Sequence, residues 1–119
     1  MSPEIDSLRD RLRAAVPVAM KARDRRTVSA LRSALAAIEN AEAVDVGDGP
    51  RAGAIEASAV GVGSTEAPRR ALSEAEIAAI VQVEIAERRS AAAGYEAAGH
   101  ADRAADLVAE ADALAEYLR

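Results

Sequence analysis

Thirty-two of the chain's 119 residues are alanine, and that bias constrains the fold more than any other feature. Alanine is the strongest helix former, but it buries little apolar surface. Leu, Ile and Val together number 24, Phe and Trp are absent, and two Tyr supply all the aromatic area. A chain of this length holds one domain. Its large side chains sit close to the minimum for an ordered core. The expectation is a thin all-helical domain, in which alanine lets helices approach closely and self-association buries what one copy leaves exposed.

Periodicity divides the chain into four helices and one long connection. Ser2-Pro3 reads as a start, with a cap and a proline at the first helical position. Ile5, Leu8, Leu12, Val16 and Met20 then share one face over residues 3–22. Pro17 interrupts that pattern, predicting a kinked or broken N-terminal helix. Asp24 reads as the N-cap of a second helix over 25–43, with Val28, Leu31, Leu35 and Ile38 as its stripe. Ser73-Glu74-Ala75-Glu76 reads as a capping box opening a third helix over 74–98, buried through Ile77, Ile80, Val81 and Ile85. Gly99 reads as its left-handed stop. A fourth helix over 102–118 carries Ala104, Leu107, Ala111, Leu114 and Leu118, and pairs with the third as an antiparallel hairpin.

Residues 44–71 hold five of the seven glycines and two of the four prolines. Compact connections seldom exceed about 12–15 residues, so a flexible Gly-rich linker is expected there, with a loop carrying a short helical turn as the alternative. The absence of cysteine excludes disulfides and thiolate metal sites and suits a reducing compartment. No apolar run is long enough for a membrane span. AAVPVAM, residues 14–20, contains Pro17, follows a charged helical pattern and does not read as a signal peptide. A soluble cytoplasmic protein is expected.

Catalytic motifs are scarce. His100 is the sole histidine. Its position after Gly99 suits a turn or cap, and a lone general base is the alternative. Asp102, Asp106 and Glu110 recur at four-residue steps, as do Asp112 and Glu116. Such rows are usually solvated, with hard-cation binding as the sharper alternative, and no metal or cofactor is expected. Arg88 follows Glu84 by four, a surface pair worth roughly 0.3–0.5 kcal/mol. GVGST, residues 61–65, lacks the glycines and the lysine of a phosphate loop.

The charge distribution is more informative. Residues 1–40 carry eight positive and five negative side chains, whereas residues 41–119 carry seven and fifteen, within a net charge of −5. The basic excess gathers in AMKARDRRTVSALRSALAAIENAE, residues 19–42. On a helical wheel Arg25, Ser29 and Arg32 fall along one flank of the second helix, and Arg26 points to the opposite flank. Guanidinium groups beside a helix start suit phosphate. Lys21, Arg25, Arg26 and Arg32 are therefore the candidate nucleic-acid contacts, against the plainer reading of a solvated helix junction. No aromatic residue interleaves with the patch, so stacking on unpaired bases is not expected.

Two blocks resemble the YqeY-like proteins, the GatB/YqeY group. The first carries Met20-Lys21-Ala22, Asp24, Leu31-Arg32, Ala37, Asn40 and Glu42. The second, residues 72–118, carries Leu72, Glu76, Arg88, Tyr95, Ala98-Gly99, Asp102, Ala105, Glu110, Leu114 and Tyr117-Leu118. His100 stands where the family has arginine, and Arg119 where it has proline. Family members continue beyond this point into a second small helical domain that resembles the tRNA-associated tail of GatB, whereas this sequence ends at Arg119.

The resemblance implies an all-helical accessory or binding module linked to the tRNA-dependent amidotransferase or to aminoacyl-tRNA metabolism. Its expected partners are tRNA or a tRNA-processing protein complex. A protein–protein or self-association module, including a homo-oligomer, is the alternative. A carbon–nitrogen ligase label with glutamine as amido donor would come by homology alone, since no residue supplies an ATP site, a glutaminase nucleophile or metal ligands.

Overall fold

A computed structural model describes residues 7–47 and 71–119, with side chains described for 7–43 and 71–119. Four helices follow in chain order: α1 (Leu8–Lys21), α2 (Arg25–Gly47), α3 (Glu74–Ala97) and α4 (Ala101–Ala115), the last continued by one 3-10 turn, Glu116–Leu118. No strand occurs among the described residues. The domain is all-α.

The start of α1 differs from expectation. Ser7 is the cap, extended at φ −73° and accepting from the Asp10 amide. Ser2 and Pro3 lie outside the described residues. The helix also runs unbroken through Pro17. Proline removes one helical donor, and Arg13, whose carbonyl would have received it, sits on the exposed side where water can serve. The buried face shifts as well. Leu8, Leu12 and Ala19 are buried, while Met20 is 51% exposed.

The chain breaks after Lys21 instead. Asp24 N–H bonds back to the Ala19 carbonyl and Arg23 N–H to that of Met20, with Arg23 left-handed at φ 60°. This is the paired hydrogen-bond pattern that ends many helices on glycine. Asp24 then caps α2 as expected, its carboxylate accepting from the Thr27 amide at 3.1 Å and hydroxyl at 2.7 Å. α2 extends to Gly47, past the predicted end at 43. The remainder of the expected linker, 48–70, lies outside the described residues.

The Ser73 capping box is present, with Ser73 Oγ accepting from the Glu76 amide at 3.0 Å and Glu76 from the Ser73 amide at 2.9 Å. At the far end of α3 the same C-terminal motif recurs. His100 N–H reaches the Tyr95 carbonyl at 2.8 Å, Gly99 N–H reaches Glu96, and Gly99 has φ 88°. Tyr95 meets Arg103, Arg88 meets Glu110 and Arg89 meets Asp112, so α3 and α4 run antiparallel.

α2 packs against all three other helices. Ala30, Leu31, Ala34 and Ile38 on α2, Val81 and Ile85 on α3, and Ala111 and Leu114 on α4 join Leu8 and Leu12 in one core. Alanine is part of that seam. Ala30, Ala34 and Ala111 are fully buried, which permits the close approach that compensates for few large side chains.

Candidate anion-binding cleft

Three elements converge at the corner where α1 gives way to α2. The left-handed turn supplies Arg23, the first two turns of α2 supply Arg25, Arg26 and Arg32, and α4 contributes Arg103, Asp106 and Glu110. They line an open cleft of about 1270 Å³. Arg25, Ser29 and Arg32 share it, as the wheel predicted. Arg26 does not point away from that flank. It lines the same cleft and its Nε donates to Asp106 Oδ1 at 2.7 Å.

Lys21 is exposed but does not line the cleft. Two arginines that were not among the candidates take part instead. Arg23 arrives through its unusual backbone, and Arg103 comes from the acidic half of the sequence by helix packing. A left-handed conformation costs a non-glycine residue roughly 1–2 kcal/mol. Glycine would hold the turn more cheaply, so the arginine adds a cation to the cleft at the expense of local strain.

Five arginines thus face three carboxylates, an excess of two positive charges, and each carboxylate is already hydrogen-bonded. Asp24 is held by Thr27. Hydrogen bonds from that hydroxyl and amide, with the Arg26 charge, hold its carboxyl below the usual aspartate value. Asp106 takes Arg26. Glu110, 8% exposed, accepts from Arg88 Nε at 2.9 Å. Among the described residues Arg23, Arg25 and Arg32 pair with no carboxylate, and the Arg32 guanidinium lies 3.6 Å from the Met20 sulfur. The cleft therefore presents uncompensated guanidinium groups beside the positive end of α2.

Of the acidic residues on and just after α4, Asp102, Asp112 and Glu116 are exposed as expected and Asp106 is half-buried, but Glu110 is buried. Arg88 bonds Glu84 at 2.8 Å and Glu110 at 2.9 Å, and all three side chains are only 10–15% exposed. Ser33 on α2 donates to Glu84 at 2.9 Å, so the network spans three helices. Burial disfavours the Arg88 charge, but the two carboxylates outweigh it and raise its pKa above the ordinary arginine value. What the sequence presented as a surface pair is a cross-helix tie.

The remaining motif residues are dispersed. Asn40 is exposed on α2, and Tyr117 is half-buried against the core beside Arg11 of α1. Tyr95, Gly99 and Asp102 gather with His100 at the α3–α4 turn. His100 occupies the N-cap position of α4 without a side-chain capping bond. Among the described residues no three His, Cys, Asp or Glu side chains are grouped to hold a metal ion.

Comparison with protein-family models, curated proteins and solved structures finds no match to this chain.

Proposed function

We propose that the protein is a non-catalytic binding module, of the YqeY type that its motifs resemble, whose arginine cleft takes the phosphate backbone of RNA, with tRNA the first candidate. The observation that carries this reading is the convergence of five arginines from three elements on one cleft whose carboxylates are already engaged. Phosphate oxygens are the natural complement of exposed guanidinium forks. The left-handed backbone at Arg23 adds weight, because a residue chosen for stability alone would be glycine.

The test is the salt dependence of binding to labelled tRNA by fluorescence anisotropy. Three or four phosphate contacts predict a log–log slope of about −3. Reversing Arg25 and Arg32 to glutamate should abolish measurable binding at physiological salt. A flat salt response, or binding indifferent to both reversals, would dismiss the cleft as an RNA site.

A second reading rests on exposed apolar side chains. Val18 is 68% and Met20 51% exposed on α1, and Val108 is 43% exposed on α4. These suit burial against a partner protein or a second copy. Sedimentation equilibrium separates the readings. A strict monomer at high concentration removes the homo-oligomer, and self-association lost on Val18→Glu supports it.

A further inference from the structure

Arg103 belongs to two surfaces at once. It lines the arginine cleft, and it also lines the adjoining hollow at the α3–α4 turn together with Tyr95, His100 and Asp102. Its guanidinium sits 5.7 Å from the centre of the Tyr95 ring, whose neighbour His100 meets it edge-on with centroids 6.1 Å apart. The two described aromatic side chains outside the core thus stand at one end of the basic cleft. Arg103 stands between them and it.

The local reason is the C-terminal motif of α3. Its hydrogen bond from His100 to the Tyr95 carbonyl brings those two residues together, and side-chain contact across that pair commonly accompanies the motif. Ring contact alone is therefore a structural consequence. What the motif does not require is the placement of the pair beside a row of arginines, or the exposure of Tyr95, which is 39% accessible.

We infer that this corner is a stacking platform for an unpaired base of the same RNA whose phosphates occupy the cleft. This inference rests on the RNA reading above. Single-strand binders combine a basic groove that follows the backbone with aromatic faces that hold successive bases, and both parts are joined here through Arg103. In the free protein Arg103 covers the Tyr95 ring. A phosphate drawn into the cleft offers its guanidinium a stronger, charge-assisted partner, and the ring is then left for a base. Asp102, at the edge of the hollow, repels phosphate and leaves that position to the base. The unpaired nucleotides of a structured RNA, its loops or its end, are the segment that fits, because bases inside a duplex cannot be splayed onto a side chain.

The experiment uses the full chain and three labelled probes: an unstructured oligoribonucleotide of about eight residues, the same strand with abasic sites, and a blunt-ended duplex with as many phosphates. The base-bearing strand should bind roughly 5- to 100-fold more tightly than the abasic strand, and more tightly than the duplex. A 2-aminopurine placed in it should be quenched on binding. Tyr95→Leu should erase the preference for bases, and Tyr95→Phe should keep it. Circular dichroism of both variants separates lost stacking from lost folding.

Equal affinity for base-bearing and abasic strands overturns the platform while leaving the phosphate cleft intact, as does a preference that survives Tyr95→Leu. Failure of every strand to bind overturns the cleft reading and this inference with it.

Discussion

Arg23 is the residue at which stability and the proposed binding pull apart. Its φ of 60° lies where glycine is at ease and other side chains are strained. Arg23→Gly should therefore raise stability by up to about 1 kcal/mol, the relieved strain less the greater chain entropy of glycine in the unfolded state. The same change should weaken tRNA binding and make its salt slope shallower by about 0.9, one phosphate contact. Urea unfolding and anisotropy on one preparation check both. A variant that loses stability and keeps full affinity would show that Arg23 serves the turn and not the cleft. Arg23 was visible in the sequence as one of a cluster, but its role was not. Nothing in residue order says which positive side chain takes the left-handed position that carries it into the cleft.

Among the elements, α1 is where local rules misled most. Proline inside a helix predicts a kink or a break, and α1 does not break at Pro17 but stops four residues later. The reason is tertiary: Leu8, Leu12 and Ala19 are buried on both sides of the proline, and that burial offsets the lost helical hydrogen bond. Pro17→Ala should then stabilise the protein by about 2 kcal/mol, an interior penalty of roughly 3 less about 1 for unfolded-chain entropy. Thermal unfolding measures it. A fall in stability would mean that the proline is shaping how α1 enters the core. The caps of α2 and α3 and the glycine stop after α3 were all legible, because each is written in residues within four positions of one another. The start of α1 was not, since Ser2 and Ser7 both satisfy the same local rule.

For the molecule as a whole, the acidic half of the chain does more than balance the basic half. Ser33, Glu84, Arg88 and Glu110 tie α2, α3 and α4 through one partly dry network. Removing the cation alone leaves two carboxylates without compensation. Arg88→Met should cost about 3–5 kcal/mol, whereas the triple change Glu84→Gln, Arg88→Met, Glu110→Leu should recover most of it. Urea midpoints decide, and a mild loss in the single variant would show that water reaches the network freely. Arg88 is charged at every ordinary pH and its pKa is raised further by folding, so its own titration takes this contribution away only in strong alkali.

The amino-acid sequence by itself determined the class of fold, since alanine, apolar period and caps all act within a few residues and leave the helix as the one regular option. It also determined that positive charge would collect around residues 21–32. Only the tertiary structure decided which charges act together. Packing of α4 against α2 and α3 buries Glu110 and brings Asp106 to Arg26. It also carries Arg103 across about 70 positions of chain, to stand between the arginines of α2 and the rings of Tyr95 and His100. Electrostatic partnership depends on distance in space and on exclusion of water, and a linear order of residues specifies neither.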